Sequence, residues 1–247
     1  MEESPVPQQE PSFQWEVHDV IAFVAFSAAT VFFLPGAVLL VLRQFQPGLQ
    51  VENLSGVQQI LIQALMDLML VGFIIFLVAA VHRMPILRAL YLVHNQTLHI
   101  GRLISSGAFL AVTVLVISSF FPTPSESPLE KLLTTTSSVV LFVVFGIALA
   151  PLFEEIIFRG FIFSALTDLS GAKVAVPVTT VLFAALHVTQ LRGNWPAVAV
   201  ILLVGYVLTV VRQRTNSVIP SVIIHTAYNS MIFGAAALGM LLGSGQR

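Results

Sequence analysis

Two adjacent glutamates and an arginine interrupt an apolar stretch of the chain, at Glu154, Glu155 and Arg159. Residues four apart share one face of a helix, so the spacing predicts an ion pair between Glu155 and Arg159. Glu154 is rotated by about 100° from Glu155 and has no basic partner in its own helix. We therefore expect Glu154 to act as a general base, with Glu155 and Arg159 fixing the geometry around it. A buried ion-paired packing contact is the alternative interpretation.

Two histidines follow on separate apolar segments. His187 ends the motif that begins at Phe183, and His225 lies four residues before Asn229. Because His225 and Asn229 share a helical face, both can donate hydrogen bonds to one developing negative charge. Each of these side chains could instead be a polar contact between helices or at the interface. Taken together with Glu154, they predict a hydrolase. Glu154 and His187 would activate a water, and His225 with Asn229 would stabilise the oxyanion.

The composition indicates that these polar groups lie inside a membrane. Of the 247 residues, 57% are hydrophobic and 9% are charged, whereas a soluble domain carries roughly a quarter charged residues. We expect an all-α, polytopic transmembrane helix bundle of seven or eight spans with a membrane-embedded polar cavity. The chain has no cysteine, which excludes disulfides, thiolate metal sites and cysteine nucleophiles. Its formal net charge of −1 provides no basic patch for nucleic acid.

The chain divides into three predicted parts. Residues 1–18 form a polar, poorly ordered N-terminal tail, residues 19–130 hold N-terminal transmembrane helices, and residues 131–243 form the catalytic transmembrane bundle. Pro151 either starts a new helix or bends a single long one, since proline is tolerated in a first turn and disrupts an interior. The apolar runs cover residues 20–42, 57–81, 103–121, 137–166, 173–188, 196–211 and 218–242.

Asp67 is a further ionisable residue inside an apolar run. A charge in the bilayer costs ~2.5–3.5 kcal/mol or more, so such a residue calls for a partner or a function. Asp67 could pair with Arg159 or with a polar neighbour, or it could belong to an ion or proton path.

The ordered set of motifs resembles a known family. Glu154-Glu155-x-x-x-Arg159, Phe183-x-x-x-His187 and His225-x-x-x-Asn229 are similar to the motifs of the CPBP intramembrane endopeptidases, which include the type II CAAX prenyl proteases and the bacteriocin-processing and immunity-associated ABI proteins. The likeness covers roughly residues 150 to 230. It implies about eight helices around a water-filled cavity, a catalytic glutamate that activates water with the first histidine, and an oxyanion pair from the last motif.

Three functions remain open at this stage. The favoured one is a metal-independent, glutamic-type intramembrane endopeptidase that needs no cofactor beyond its catalytic water. It would act on peptide or protein substrates, including lipidated ones such as CAAX-type prenylated peptides, as a multi-pass protein of the cell (inner) membrane. A zinc peptidase is less favoured, because no H-E-x-x-H helix is present. A non-enzymatic transporter, immunity factor or scaffold is the third possibility.

Overall fold

The computed structural model describes residues 13–94, 97–121, 135–191 and 194–244, with side chains up to residue 236. These residues form helices and loops. The helices are α1 (Val17–Phe45), α2 (Gly56–Val81), α3 (Ile86–Ala89), α4 (Ile100–Ser119), α5 (Thr136–Ser170), α6 (Ala172–His187), α7 (Trp195–Thr215) and α8 (Ile219–Ser244).

The predicted helical membrane bundle is confirmed. Helices α1, α2, α4, α5 and α7 are long and apolar enough to cross a bilayer, and α6 is a shorter apolar helix. Helix α8 has 26 residues, of which many are apolar. Large apolar side chains point outward, including Phe32 at 78% and Phe109 at 74% exposure. Surfaces of this kind are unfavourable in water and are expected against lipid.

The ends of several helices are set by local sequence. Ser55 and Gln58 form a reciprocal capping box at the start of α2, and Thr135 forms one with Ser138 at the start of α5. At the start of α7 the side chain of Asn194 accepts a hydrogen bond from the N–H of Ala197. These side chains bind backbone N–H groups that have no partner in the first turn of a helix.

Pro151 lies inside one continuous helix. Helix α5 runs for 35 residues and contains two π-helical turns, Phe145–Leu149 and Ile156–Ile162, on either side of Pro151 and the glutamates. Proline lacks an N–H and its ring crowds the carbonyl four residues earlier. The wider π turn before Pro151 accommodates the missing hydrogen bond and the bulk of the ring, so the helix continues through the proline.

Close packing at a glycine fixes the position of α8 against α4. A Cβ atom added at Gly107 would lie 2.7 Å from the Cβ of Ala227 and 3.1 Å from the backbone N of Tyr228, and it would collide with the carbonyl oxygen of Ile224. Small residues allow helix backbones in membranes to approach this closely. Because α8 carries His225, this contact determines where that imidazole lies.

The segment just before α1 packs against α5. Helix α1 begins at Val17, and Trp15 before it is only 2% exposed. The backbone N–H of Trp15 donates to the carboxylate of Asp168 at 2.9 Å, and the indole ring meets Phe161 of α5 edge-on at 4.7 Å. The aromatic residue anchors this otherwise polar segment by burial. Residues 1–12, and the predicted boundary at 130/131, lie outside the described residues.

Candidate active site

Glu155 is the centre of a buried polar cluster. Its side chain has 0% exposure, and Oε1 accepts a hydrogen bond from Nη1 of Arg159 at 2.8 Å. The predicted ion pair between these two residues is therefore present. The same oxygen lies 2.9 Å from Nδ1 of His225. Arg159 also donates to the carbonyl of Gly205 at 2.9 Å, and its guanidinium lies over the ring of Phe183 at 4.5 Å.

Glu154 is in a different environment from its neighbour. Its side chain is 28% exposed, and its Oε2 lies 3.7 Å from Nε2 of His225. That distance is too long for a direct hydrogen bond. Thus Glu155 is held by two partners, while Glu154 next to it is accessible and faces the second nitrogen of the same imidazole.

The contacts of His225 determine its tautomer. The Glu155 oxygen is a carboxylate in an ion pair with Arg159 and can only accept, so Nδ1 of His225 carries a proton and donates. In the neutral ring Nε2 is then an acceptor. Donation from Nε2 requires the doubly protonated imidazolium.

The two π turns of α5 each present a carbonyl to a side chain from another helix. Asn229 of α8 donates through Nδ2 to the carbonyl of Gly146 at 2.8 Å. Arg212 of α7 donates through Nε to the carbonyl of Arg159 at 3.1 Å. A π turn widens the backbone hydrogen-bond ladder, which gives side chains access to its carbonyls. These bonds tie α7 and α8 to the helix that carries the glutamates.

His187 is oriented by its own helix. Its Nδ1 lies 2.8 Å from the carbonyl of Phe183, and because a carbonyl only accepts, Nδ1 carries the proton. The Nε2 atom is therefore an acceptor in the neutral ring. Within the part of the chain that the structure describes, no carboxylate oxygen lies within 4 Å of a His187 ring nitrogen. The predicted joint action of His187 and Glu154 on one water stays a prediction.

Asp67 pairs with a polar neighbour on its own helix and not with Arg159. Its Oδ1 accepts a hydrogen bond from the amide of Gln63 at 2.9 Å. Helix α2, which carries Asp67, packs against the segment Ala150–Glu155 of α5, which carries Glu154.

Arg212 is the residue that sequence reasoning missed. It is 3% exposed, donates to the hydroxyl of Ser164 at 3.2 Å, and lies over the ring of Tyr91 at 3.9 Å. In the sequence it is a basic residue near the end of an apolar run, a common position for side chains that reach to the membrane surface. No signal in the sequence distinguished this buried arginine from one that reaches to the membrane surface.

Comparisons with known proteins place the chain in a family of membrane proteases. Residues 136–231 match the family described as type II CAAX prenyl endopeptidase, Rce1-like. The UPF0177 protein YxdF of Lactococcus lactis subsp. lactis (strain IL1403) is 30% identical over 132 residues, which are 53% of this chain and 69% of that protein. No solved structure matches. The chain is therefore an integral membrane protein that belongs to the CPBP family of membrane proteases, with the Rce1-like type II CAAX prenyl endopeptidases.

Proposed function

We propose that this chain is an intramembrane endopeptidase in which Glu154 activates the attacking water. The observation that carries the proposal is the contrast between the two adjacent glutamates. Glu155 is fully buried between Arg159 and His225, whereas Glu154 is accessible and faces the free nitrogen of His225. Glu155 is committed to contacts that hold the helices together, and Glu154 is available for proton transfer.

The proposed reaction is a hydrolysis in two proton transfers. Glu154 removes a proton from the water as its oxygen attacks the peptide carbonyl carbon, which gives a tetrahedral oxyanion. The same carboxyl group then delivers that proton to the leaving nitrogen as the C–N bond breaks. The products are a carboxyl group on one fragment and an amine on the other. The reaction consumes only water.

Two donors are available for the oxyanion. Asn229 uses one amide hydrogen on the carbonyl of Gly146, which leaves its second hydrogen for the substrate. His225 donates from Nε2 when the ring is doubly protonated, and Glu155 holds the ring in position through Nδ1. Removal of a single oxyanion donor typically lowers kcat by about 10²–10³.

His187 supplies an acceptor for the water. Because Nδ1 is bound to the carbonyl of Phe183, Nε2 is the nitrogen left to accept a hydrogen bond from the water. We propose that it orients the water that Glu154 deprotonates. A geometric contribution of this kind raises the fraction of time that the water is positioned for attack.

The donor set favours hydrolysis without a metal. The Glu155 carboxylate is already neutralised by the guanidinium of Arg159 at 2.8 Å. With Glu155 engaged in this way, the groups left at this point are Glu154 and Nε2 of His225, fewer than the three protein ligands of a catalytic zinc site. In the described residues, the group of three metal-ligating side chains that come together consists of His18, Asp19 and His82, and it includes neither glutamate.

For the substrate we propose lipidated peptides presented at the bilayer. The family description names prenyl endopeptidases, and the apolar outer surface of the bundle allows a lipid chain to approach through the membrane. The host membrane that we propose is the cell (inner) membrane. CAAX-type prenylated peptides are the first class to assay.

The direct test is peptide cleavage by purified full-length protein in lipid nanodiscs. A farnesylated CAAX-type peptide and its unprenylated form are compared, with products identified by mass spectrometry. Glu154→Gln and Glu154→Ala should abolish cleavage, and Glu52→Gln, at an exposed glutamate between α1 and α2, is the matched control. Full activity in Glu154→Gln would overturn the proposed role of this carboxylate.

A non-enzymatic role has one observation in its favour. Asp67 and Glu154 are carboxylates on two membrane helices that pack against each other, and ionisable residues on membrane helices also build proton and ion paths. Proton or solute flux in proteoliposomes that is abolished by Asp67→Asn, without peptide cleavage, would favour this function over the protease.

A further inference from the structure

A second cluster of ionisable side chains lies where α1 begins and α2 ends. His18 and Asp19 belong to the first turn of α1, and His82 directly follows α2. One ligand atom from each residue lies within 4.8 Å of the others. Nε2 of His82 is 2.8 Å from Oδ1 of Asp19, and Nε2 of His18 is 3.6 Å from the same oxygen. Two imidazole nitrogens therefore converge on one carboxylate oxygen.

Two of the three side chains are held rigidly. Asp19 is 1% exposed, and its other oxygen accepts a hydrogen bond from the backbone N–H of Glu16 at 2.9 Å. The ring of His82 packs edge-on against Phe13 and Trp15, with centroids 5.1 and 5.8 Å apart. A ligand that binds here meets a carboxylate and an imidazole whose orientations are already fixed.

The third side chain, His18, has a carboxylate close to its second ring nitrogen, as metal-binding histidines often do. His18 is 63% exposed, and its second nitrogen, Nδ1, lies 3.4 Å from a carboxylate oxygen of Glu16. A carboxylate behind a histidine orients the ring and raises its basicity, which is typical of the outer shell of metal sites.

We propose that His18, Asp19 and His82 bind one divalent transition-metal ion of the Zn²⁺ class. Bonds of about 2.0–2.2 Å to imidazole nitrogen and carboxylate oxygen place neighbouring tetrahedral ligands about 3.3 Å apart. The two separations from Asp19, 2.8 and 3.6 Å, lie on either side of that value. Imidazole ligands favour Zn²⁺ and its neighbours over Mg²⁺ and Ca²⁺, which require more oxygen ligands. Three protein ligands leave a fourth position for water.

Such an ion would join α1 to the end of α2, close to α5. His18 and Asp19 lie on α1, His82 follows α2, and Trp15 next to them packs on Phe161 of α5. Because the ligands come together in the folded chain, bound metal should stabilise the fold by mass action. This inference does not depend on the proposed role of Glu154.

The test is metal titration of the full-length protein without a histidine tag, after removal of metal with a chelator. Co²⁺ serves as the spectroscopic probe, and Zn²⁺ is added as the competitor. We expect one Co²⁺ with tetrahedral d–d absorption, its displacement by Zn²⁺, and a higher melting temperature when metal is bound.

Single substitutions locate the ion. His18→Gln changes an exposed side chain, so folding should persist while affinity falls by at least about 100-fold, more than the 10–100-fold typical of an outer-shell loss. Glu16→Gln should weaken binding by about 10-fold. His99→Gln, at an exposed histidine before α4, should leave affinity unchanged. Unaltered Co²⁺ affinity in His18→Gln would overturn the proposal. Binding lost in His225→Gln but kept in His18→Gln would also overturn it, because the ion would then lie at the candidate active site.

Discussion

His225 on α8 contacts Glu155 on α5, with its Nδ1 atom 2.9 Å from Oε1 of the glutamate. The same oxygen accepts a hydrogen bond from Arg159 at 2.8 Å. The buried carboxylate thus fixes one nitrogen of the ring and leaves the other, Nε2, facing Glu154 at 3.7 Å. Glu155 therefore positions the imidazole of His225 next to Glu154. Substitutions that disturb Glu155 should affect both folding and catalysis.

Replacing Arg159 by leucine should strongly destabilise the protein. The substitution leaves the fully buried Glu155 without its cation, and breaking a buried ion pair typically costs about 3–5 kcal/mol. Thermal or denaturant unfolding in detergent measures the effect. Arg214→Leu, at an exposed position of α7, is the control and should change stability little. A melting curve for Arg159→Leu that overlays the wild type would show that the pair has no net structural role.

Replacing Gly107 by alanine should displace α8. The added methyl group would overlap the backbone at Ile224 and lie 2.7 Å from Ala227, and overpacking of this kind typically costs about 1–3 kcal/mol. Because His225 follows Ile224 on the same helix, kcat for peptide cleavage should also fall. Gly101→Ala is the matched control, since a methyl group there meets nothing within 4 Å. Equal stability and activity of the two variants would contradict the close helix contact.

Replacing Asn229 by alanine should lower kcat by about 10²–10³ with little change in KM, because the amide is proposed to bind only the developing oxyanion. Steady-state cleavage of the prenylated peptide measures both constants. The substitution also removes the bond to Gly146, so a melting curve is recorded in parallel. Ser230→Ala is the control, since that hydroxyl bonds within its own helix to Thr226. A rise in KM at constant kcat would assign Asn229 to substrate binding instead.

Chelation should leave peptide cleavage intact. Oε1 of Glu155 is occupied by Arg159 and by Nδ1 of His225, which leaves too few ligands for a metal at the glutamates, so we expect kcat per folded molecule to be the same before and after chelator treatment. Turnover is measured well below the melting temperature, and the folded fraction is determined on the same samples. Loss of turnover without loss of folded protein, restored by Zn²⁺, would identify a zinc peptidase.

The local features of the candidate site could be read from the sequence. The pair of Glu155 and Arg159 depends on residues four apart in one helix, and that geometry is the same in every α-helix. The apolar runs also predicted the helices to within a few residues, because a bilayer requires a minimum length of apolar helix. The position of Pro151 could not be decided, since it depends on whether π turns form on either side of it.

What only the tertiary structure decided was which distant groups face each other. The pairing of His187 with Glu154 stays a prediction, whereas the structure brings His225, 70 positions from Glu155, to both glutamates. It also buried Arg212 of α7 against α5. The rotation of each helix and its distance from its neighbours are set by packing, as at Gly107 against α8. Sequence determined the membrane-spanning helices and the local pair of Glu155 and Arg159, because these follow from hydropathy and local spacing. Their pairing across helices depends on contacts that no local rule encodes.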